Sequence, residues 1–547
     1  MTRMTGGSAL VEMLRRNGVD TIFALPGVQN DALFAALYDA AHAGGKAAVR
    51  VIHTRHEQAA AYMAFGYARA SGKCGAYAVV PGPGFLNTTA ALATAYATNA
   101  PVLCISGQIA SHMIGRGFGQ LHEIPDQLAI LRGLTKWAAR IDHPTEAGGA
   151  VNEAFRHMRT GRPRPVGLEM PPDAMALEAE VILPEGFAAP APNAPDPDLI
   201  EKAAERLGNA KSPLIMVGSG AAAAGEALLA VAELIEAPVF ATYSGKGIVS
   251  DRHYLSQNAF AGHELWAKAD VALGVGTRMA YPLLQWGVDE ALELIRIDID
   301  PTEIARIRTP SIGIVADARA ALTALHDALL KRNRKRPSRE GELAALKKKS
   351  LQEIGRLSPQ CEYLMAMRRE LPDDGIFVDE LTQVGYVARL AYPTYRPRTF
   401  IQSGYQGTLG YGFPTALGAK IARPDTPAVS ISGDGGFLYN AQELASAVLH
   451  GIDIVTIVFV DGAFGNVRRI QKEDYGNRLI AVELHNPDFA RMAESYGIAG
   501  VRTSGPEGLQ RELNAALKRR GGTLIEVKVG DMPDPWPVIL RPRVRGK

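Results

Sequence analysis

The segment Ala428-Val-Ser-Ile-Ser-Gly-Asp-Gly-Gly436 decides the fold of its region. A short apolar run that ends in turn residues is typical of a strand buried on both faces of a parallel sheet. The glycines let the backbone approach a phosphate closely, and a helix predicted to begin near Asn440 would supply unpaired N–H groups. Asp434 adds a hard oxygen ligand suited to Mg²⁺ or Ca²⁺. The segment indicates a phosphate site, although Gly-Asp-Gly turns are common after strands.

A second predicted strand, Val455–Val460, ends in Asp461, and Gly462-Ala463 follows. Because the carboxyl ends of parallel strands meet at one edge of a sheet, we expect Asp434 and Asp461 to lie close together. Two bare carboxylates would repel each other, and a cation between them would relieve that repulsion. The alternative is a pair of capping aspartates without a metal. We predict that the pair holds a diphosphate-bearing cofactor through a divalent metal.

Similar apolar runs recur along the chain, with helix-length segments between them. Near-continuous apolar strands of this kind indicate parallel sheets that are covered by helices on both faces. We therefore predict an α/β protein built of three doubly wound parallel-sheet domains. The other clear runs are Thr21–Gly27, Gly75–Gly82, Pro101–Gly107, Pro213–Gly218, Pro238–Thr242, Val271–Gly276, Leu294–Asp300 and Gly375–Asp379.

Two stretches indicate connections between domains. Five prolines in residues 183–198 exclude helix and sheet interiors, which predicts an extended connector. The basic stretch 331–350 is interpreted either as an anion-binding patch or as a solvated tether between domains, and we favour the tether. The predicted domains are residues 1–182, 192–335 and 355–547.

Composition bounds the class of protein. The 547 residues are 47% hydrophobic and 21% charged with a formal charge of +2, which is typical of a globular protein and disfavours nucleic acid as the main partner. No stretch approaches the ~18 apolar residues of a membrane span, and the N-terminus lacks a signal layout, so we expect a cytoplasmic enzyme. Cys74, Cys104 and Cys361 follow no metal or disulfide spacing, and we expect Cys104 to be an inert buried thiol.

In the region from Gly433 to Asp461 the chain resembles the thiamine diphosphate (ThDP) enzymes of the acetolactate synthase and 2-oxo acid decarboxylase group. In that family a second metal ligand, usually Asn, lies 27 positions after the Asp of Gly-Asp-Gly, as position 461 does here after position 434. The resemblance implies that Asp434, the Asp461 side chain and the Ala463 carbonyl coordinate Mg²⁺. Its diphosphate-binding set also includes Gly433, Gly435, Gly436, Phe464 and Gly465. The usual Asn-Asn is replaced by Val460-Asp461, which adds one negative charge.

The N-terminal third resembles the family's pyrimidine-binding domain. His53-Thr-Arg-His-Glu57-Gln is similar to the segment whose glutamate activates the cofactor. The resemblance implies that Glu57 exchanges a proton with the pyrimidine nitrogen and so favours the imino form that deprotonates thiazolium C2. A carboxyl with this role works largely out of water. By residue pattern alone, Glu57 would be a surface acid on a helix.

The segment Gly404-Tyr-Gln-Gly407-Thr-Leu409-Gly-Tyr-Gly is similar to the family's pyrimidine-binding segment. The resemblance implies that the Gly407 carbonyl and the Leu409 N–H bind the ring, and that the Leu409 side chain supports the bent cofactor. Thr382 and Gln383 resemble positions near the diphosphate.

The central domain contains Arg296-Ile-Asp-Ile-Asp-Pro-Thr-Glu-Ile, which is similar to acetolactate synthase. That enzyme holds FAD in this domain, and Gly276-Thr-Arg278 lies at a matching strand end. Residues 241–262 are shorter than in FAD-binding members, and Gly218-Ser-Gly220 is too generic to decide. FAD therefore stays open. The resemblance also implies a homodimer or homotetramer whose active sites lie between subunits.

The expected substrate pocket departs from acetolactate synthase. That enzyme has a Met and a Trp where this chain has Asn466 and Ile470, and its Phe-Gln-Glu segment corresponds to Leu121-His122-Glu123. Gly27-Val-Gln29 replaces a Gly-Gly-Ala turn, and benzaldehyde lyase has a histidine in the place of Gln29. We predict that Gln29, His122 and Asn466 polarise the substrate carbonyl or move protons, or else are ordinary loop residues.

The leading hypothesis is a ThDP- and Mg²⁺-dependent lyase or transferase that acts on a 2-oxo acid or related ketone. The alternatives are a ThDP-dependent C–C hydrolase of a diketone and a flavin-linked 2-oxo acid oxidase. A nicotinamide dehydrogenase is excluded, because no strand is followed by Gly-x-Gly-x-x-Gly with a later acidic partner.

Overall fold

A computed structural model describes residues 1–44, 48–192 and 194–546. It contains three six-stranded parallel sheets and one two-stranded antiparallel sheet. The strands are β1 (Thr2–Thr5), β2 (Thr21–Ala24), β3 (Arg50–His53), β4 (Gly75–Val79), β5 (Val102–Gly107), β6 (Trp137–Arg140), β7 (Val166–Met170), β8 (Glu178–Val181), β9 (Pro213–Val217), β10 (Val239–Ala241), β11 (Ser256–Gln257), β12 (Val271–Val275), β13 (Glu293–Asp298), β14 (Ile312–Val315), β15 (Ile376–Val378), β16 (Phe400–Ile401), β17 (Ala428–Gly433), β18 (Val455–Val460), β19 (Ala499–Ser504) and β20 (Thr523–Lys528).

Helices cover the sheets. They are α1 (Gly6–Arg16), α2 (Asp31–His42), α3 (Glu57–Ser71), α4 (Pro83–Leu86), α5 (Thr89–Thr98), α6 (Gln127–Leu134), α7 (Ala147–Arg159), α8 (Pro172–Ala176), α9 (Pro197–Asn209), α10 (Gly225–Leu234), α11 (Ala259–Lys268), α12 (Pro301–Ile304), α13 (Ala318–Arg332), α14 (Glu340–Gly355), α15 (Gln360–Glu370), α16 (Gln383–Ala391), α17 (Gly412–Ala422), α18 (Asp434–Phe437), α19 (Leu444–Leu449), α20 (Gly465–Glu473), α21 (Phe489–Ser495), α22 (Gly505–Ala516) and α23 (Trp536–Ile539). Short 3₁₀ turns lie at Val28–Asn30, Ser111–Met113, Pro144–Glu146, Ser219–Ala221, Tyr243–Gly245, Gly404–Gln406 and Ala441–Glu443, and a π-helical turn lies at Pro282–Trp286. Among the described residues, no helix combines the length and apolarity needed to cross a membrane.

The strand order places the ligand-binding crevices. The N-terminal sheet runs β3-β2-β4-β5-β7-β6 and the C-terminal sheet runs β16-β15-β17-β18-β20-β19, which is the same topology. The central sheet runs β11-β10-β9-β12-β13-β14. In each sheet the chain first adds strands on one side of its first strand (β2, β9 or β15) and later adds strands on the other side. The expected ligand-binding crevice lies at this switch point, beside β2, β9 or β15. The predicted α/β class with three doubly wound sheets is confirmed, with the antiparallel pair β1–β8 as an addition.

Local sequence signals explain where several helices begin. Asp196 precedes α9 and accepts hydrogen bonds from the next backbone N–H groups, while Pro197 occupies the first helical position. Asp317 caps α13 in the same way, and the Thr382 hydroxyl caps α16 by accepting from Gly385 N–H at 2.8 Å. Such caps satisfy helix N–H groups that have no partner within the helix.

Helices α3 and α17 join the N-terminal and C-terminal domains. A Cβ on Gly66 would overlap the Thr415 carbonyl, and one on Gly418 would overlap the Met63 carbonyl. Only glycine permits this close helix approach, because packed interiors leave no spare volume. Side chains add to the joint, since Glu443 accepts hydrogen bonds from the backbone N–H of Arg55 at 3.1 Å.

Both predicted connectors lie outside the sheets. Residues 183–192 and 194–196 form neither helix nor strand, as the prolines predict, while Asn193 lies outside the described residues. The basic stretch is a connector too, but it is largely helical, and its arginines are not simply solvated. Arg336 donates to the carbonyls of Leu207 and Gly208 at the end of α9, which is a favourable place for a cation. The domain boundaries themselves stay predictions.

The helix predicted to begin near Asn440 is present, because a 3₁₀ turn at Ala441–Glu443 follows Asn440 and continues directly into α19. The one-turn helix α18, which begins at Asp434, was not predicted. The Gly435-Gly436 pair allows this tight turn immediately after β17, so the N–H groups nearest the strand end belong to the glycine turn itself.

Candidate functional site

The two predicted metal ligands follow neighbouring strands. β17 pairs in parallel with β18, with Gly433 opposite Phe459, so Asp434 and Asp461 lie at adjacent strand ends. Asp434 is 2% exposed, and its Oδ2 accepts hydrogen bonds from Gly462 N–H at 2.8 Å and Asn486 Nδ2 at 2.7 Å. Burial and, after it, the charge of Asp434 raise the pKa of Asp461. A divalent cation would relieve this repulsion.

The donor set fits Mg²⁺ rather than a softer metal. Within the described part of the chain, no three His, Cys, Asp or Glu side chains are grouped to hold a metal. A metal here would therefore be held by two carboxylates and backbone oxygen, together with oxygens of a bound diphosphate. Mg²⁺ commonly binds through one or two carboxylates and substrate phosphates. Ala463, the predicted backbone ligand, is 4% exposed and lies two residues after Asp461.

A cavity of about 280 Å³ opens at these strand ends, close to the lower limit for small-molecule sites. It brings together every predicted cofactor-binding residue of the C-terminal domain, and Asn466 as well. Its lining residues are Leu381, Thr382, Gln383, Val384, Tyr386, Gly407, Leu409, Gly433, Asp434, Gly435, Gly436, Phe459, Asp461, Ala463, Phe464, Gly465, Asn466, Val467, Val529 and Met532.

The backbone of the predicted pyrimidine segment is shaped by glycines. Gly407 and Gly410 have φ of +58° and +78°, in the left-handed region that favours glycine. The Gly410 N–H donates to Glu380 Oε1 at 2.5 Å, and its carbonyl accepts from Asn440 Nδ2 at 2.6 Å. Leu409, half-buried, lies between the two glycines and faces the cavity.

Close packing fixes the opposite wall of the cavity. A Cβ on Gly465 would lie 2.6 Å from Asp461 Oδ2 and 3.1 Å from Gln383 Nε2. A Cβ on Gly435 would lie 2.7 Å from the Phe464 ring. Glycine at these two positions therefore lets the aspartate and the ring approach the turn. This gives a physical reason for Gly435 and Gly465, which only the family resemblance had indicated.

Glu57 lies apart from this cavity. It is the first residue of α3, and its Oε2 accepts a hydrogen bond from Asn87 Nδ2 at 3.0 Å. The turn at Gly84 packs beside the carboxylate. All of these neighbours belong to the N-terminal domain, whereas the cavity is lined only by residues between 381 and 532. Within the described residues of one chain, Glu57 thus lies outside the lining of the Asp434 cavity.

Gln29 and His122 are brought together in the N-terminal domain. His122 Nδ1 lies 3.0 Å from Gln29 Oε1, and Gln29 Nε2 donates to the Leu121 carbonyl at 3.2 Å. His122 has φ of +68°, and its carbonyl packs against Gly82, two residues before Gly84. The pair therefore lies at the same strand-end edge as Glu57, and its role in a substrate pocket stays a prediction.

Asn466 lines the Asp434 cavity. Its Oδ1 accepts a hydrogen bond from Trp536 Nε1 at 2.8 Å, and the Trp536 ring packs against Tyr386 at 5.1 Å between centroids. The C-terminal segment that carries Trp536 also contributes Met532 to the cavity wall. The amide of Asn466 is thus held in one orientation by a residue 70 positions away in the chain.

Sequence reasoning missed three residues of the site. Glu380 and Asn486 hydrogen-bond to the pyrimidine segment and to Asp434, and Trp536 orients Asn466. Glu380 carried a usable signal, since it follows β15 at a strand end as Asp434 follows β17. Asn486 lies in an irregular segment and Trp536 begins the one-turn helix α23, and no spacing rule connects either residue to the strand ends.

A larger cavity of about 630 Å³ lies at the ends of β9 and β12 of the central domain and is also lined by residues of the other two domains. The Gly218-Ser-Gly220 turn packs directly on Gly276, and Arg278 donates to the Ala97 carbonyl at 3.1 Å. Arg69 also lines it; burial lowers the pKa of this guanidinium to about 10, and its Nε has no partner among the described residues. A cavity with buried guanidinium groups suits an anionic ligand.

Comparison with known families matches the three parts of the chain in order. Residues 4–130 match the N-terminal TPP binding domain of thiamine pyrophosphate enzymes, residues 200–325 match their central domain, and residues 381–527 match their C-terminal TPP binding domain.

Similar proteins extend over nearly the full chain. A probable 2-ketoarginine decarboxylase from Pseudomonas aeruginosa is 34% identical over 96% of this chain and 94% of its own. A probable acetolactate synthase large subunit from Methanocaldococcus jannaschii is 33% identical over 96% and 92%, respectively. An acetolactate synthase from Arthrospira platensis is 33% identical over 98% and 96%.

Proposed function

The chain belongs to the thiamine pyrophosphate enzymes, and on that basis we propose that it is a ThDP- and Mg²⁺-dependent lyase or transferase. It cleaves or forms the carbon–carbon bond next to the carbonyl of a 2-oxo acid or related ketone, as a decarboxylase or an acetolactate synthase-like carboligase. The observation that carries this proposal is the cavity where Asp434 and Asp461 meet the Gly407–Leu409 segment.

Each residue of the site has a definable task in this chemistry. ThDP, when bound, supplies the nucleophilic carbon and the electron sink for the bond that changes. Asp434, Asp461 and the Ala463 carbonyl hold Mg²⁺ and, through it, the diphosphate. Leu409 supports the cofactor between its two ends, and Glu57 exchanges a proton with the pyrimidine nitrogen.

The separation of Glu57 from the Asp434 cavity supports a homodimer or homotetramer. The Glu57 carboxylate accepts a hydrogen bond from Asn87 of its own domain, and the lining of the Asp434 cavity includes no residue before 381. A second copy of the chain would bring its Glu57 to this cavity and complete the site. A Glu57→Gln subunit mixed with an Asp434→Ala subunit should regain activity if sites are shared, and should stay inactive if each chain has its own site.

The substrate carbonyl is polarised by the polar residues at the two edges. Gln29 and His122 form one hydrogen-bonded pair, and Asn466 is fixed by Trp536. Hydrogen-bond donors held in place before the reaction stabilise developing charge better than mobile ones. This set differs from the Met and Trp of acetolactate synthase, which favours a substrate other than pyruvate or a different product from the common intermediate.

FAD is a second cofactor that the central cavity would accommodate, and it favours a second candidate function, a flavin-linked 2-oxo acid oxidase. Supporting features are the glycine turns at the ends of β9 and β12 and the guanidinium groups of Arg69 and Arg278. The purified protein would then carry a flavin absorbance that bleaches on addition of substrate. A flavin that stays oxidised through turnover would exclude the oxidase.

The test of the main proposal is a screen of 2-oxo acids and diketones with the purified protein, ThDP and Mg²⁺. The relatives make 2-ketoarginine and pyruvate the first substrates, with CO₂ release and product identity as readouts. CO₂ with an aldehyde indicates a decarboxylase, and a ligated product indicates a carboligase. Absence of ThDP-dependent turnover on every substrate would contradict the proposal. The cytoplasmic location stays a prediction from the sequence.

A further inference from the structure

Glu380 is a buried acid at the switch point of the C-terminal sheet. It lies two residues beyond the end of β15, beside β17, and is 1% exposed. Its neighbour Asp379 is also buried, but Asp379 has Arg389 at 3.5 Å and Tyr411 Oη at 2.7 Å. Among the described residues, Glu380 forms no ion pair with a basic group. A buried carboxyl without a cation is costly, so its position calls for a reason.

Uncharged donors surround this carboxyl. Gly410 N–H donates to Oε1 at 2.5 Å, and Ser432 Oγ donates to Oε2 at 2.6 Å. The Gly412 backbone also faces it. Gly410 and Gly412 lie one and three residues after Leu409, and Ser432 immediately precedes the Gly433–Gly436 turn. The carboxyl therefore hydrogen-bonds to both the pyrimidine segment and the strand that carries the metal-binding turn.

Two glycines leave the volume that the Glu380 side chain fills. A Cβ on Gly412 would lie 2.7 Å from Oε2, and a Cβ on Gly436 would overlap Oε1. These glycines belong to the two separate segments of the cofactor site. The carboxyl therefore lies between the two glycines, in the space that a side chain at either position would need.

The pyrimidine segment is held from its other side too. Asn440 Nδ2 donates to the Gly410 carbonyl at 2.6 Å, so both polar groups of the Gly410 peptide units are bonded to side chains. A loop of this composition, with φ of +78° at Gly410, would otherwise sample many conformations. Leu409, whose N–H is expected to bind the pyrimidine, is the residue immediately before this anchor.

We propose that Glu380 is a positioning residue that fixes the Gly407–Gly412 segment against the Gly433–Gly436 turn, so that both ends of ThDP bind at a set separation. Burial raises the pKa of this carboxyl to about 7, and the donors from Ser432 and Gly410 oppose that shift. The proposal rests on the proposed function, because it needs ThDP as the ligand. Glu380 itself is not among the residues that line the cofactor cavity.

The test compares two ligands that use different parts of the site. ThDP requires both segments, whereas inorganic pyrophosphate with Mg²⁺ requires only the metal-binding turn. At pH 8, where the Glu380 carboxyl is ionised, Glu380→Gln should weaken ThDP binding roughly tenfold or more, because Gly410 N–H loses a charged acceptor, while pyrophosphate affinity should change less than about threefold. Calorimetric titration of each ligand measures both constants.

Glu526→Gln is the matched control. Glu526 is 3% exposed on β20 of the same sheet and pairs with Arg502, away from the cavity lining. Its substitution should leave the ratio of the two dissociation constants unchanged. Ser432→Ala removes one donor to the Glu380 carboxyl and should move the ratio in the same direction by roughly threefold. This milder variant keeps the test available should Glu380→Gln fold poorly.

The outcomes separate the two claims. Failure of the wild type to bind ThDP would overturn the proposed function and this inference with it. ThDP binding by the wild type with an unchanged ratio in Glu380→Gln and Ser432→Ala would overturn the inference alone. Equal loss of ThDP and pyrophosphate in Glu380→Gln would also overturn it, since the carboxyl would then support the whole domain and not the pyrimidine segment.

Discussion

The N-terminal and C-terminal sheets have the same strand order but different residues at their strand ends. The C-terminal edge gathers Asp434, Asp461 and Glu380 around glycine turns, with a cavity between them. The N-terminal edge has Glu57, which accepts a hydrogen bond from Asn87, and the Gln29–His122 pair. A shared topology thus provides two crevices, and the different side chains at the strand ends support our proposal that one binds a metal and diphosphate while the other supplies a proton.

The largest expected effect comes from the N-terminal edge. Glu57→Gln removes the proton-exchanging carboxyl, and a general acid–base group typically contributes 10²- to 10⁴-fold to rate, so kcat should fall by roughly that factor. ThDP affinity should change little, because the cavity that holds the diphosphate is in the other domain. Steady-state kinetics measure the change in kcat, and titration with ThDP measures the change in affinity. A wild-type kcat in Glu57→Gln would contradict the proposal that the N-terminal edge supplies the proton.

The next effect is a pH dependence of folding stability that comes from Glu380 at the C-terminal edge. The pKa of Glu380 is raised to about 7 by burial, and its titratable neighbours are Asp379, Tyr62 and Tyr411. Because the folded carboxyl binds its proton more tightly than the unfolded one, this group favours the folded state below pH ~4.5, and that stability is lost as the pH rises through about 7. The loss is ~3 kcal/mol.

Glu380→Gln cannot ionise, so the Tm of the metal-free apoprotein should fall less between pH 4.5 and 7.5 than that of the wild type. The decrease of Tm with pH that remains in the variant comes from Asp379, whose pKa is raised to about 6. Glu526→Gln serves as the control and should retain the wild-type slope. Parallel Tm curves for wild type and Glu380→Gln would show that Glu380 is ionised at low pH in the folded protein.

A smaller effect concerns the unusual second aspartate. Asp461→Ala removes an oxygen ligand and should lower ThDP affinity in Mg²⁺ by roughly 10- to 100-fold, whereas Asp461→Asn, the usual family residue, should stay within about threefold of wild type. Titration with ThDP at fixed Mg²⁺ distinguishes the pair. Equal ThDP affinity in Asp461→Ala and wild type would show that Asp461 is not a metal ligand.

The smallest effect is expected at the pocket wall. Trp536→Phe keeps the packing against Tyr386 but removes the 2.8 Å hydrogen bond to Asn466. One neutral hydrogen bond contributes about 1 kcal/mol, so KM or kcat should change roughly fivefold while ThDP affinity is unchanged. Asn466→Ala should give an effect in the same direction. A loss of ThDP binding in Trp536→Phe would instead make the C-terminal segment part of the cofactor site.

How far the sequence predicts this site depends on the distance between partners. Asp434 and Asp461 were predictable because each follows a strand of clear apolar pattern, and parallel strands bring their ends together. Glu57 needed a family resemblance, since an acid at a helix start is equally a common surface residue. Trp536 was not predictable, because its contact with Asn466 joins two segments that no period connects.

The strand order itself also exceeds what the pattern contains. Apolar runs predicted parallel sheets, and the three doubly wound sheets are confirmed, but nothing in those runs distinguishes the order of the central sheet from that of the other two. The one-turn helix at Asp434 was missed because two glycines disfavour helix in general, whereas here they allow a tight turn beside Glu380.

The central claim is that the C-terminal edge holds a diphosphate cofactor through a divalent metal. Its most direct test is calorimetric titration of the protein with ThDP, first in Mg²⁺ and then after removal of divalent metal by a chelator. We predict saturable binding in Mg²⁺ and loss of most of the affinity without it, with Asp434→Ala resembling the metal-free protein. The same ThDP affinity with and without metal would contradict the account.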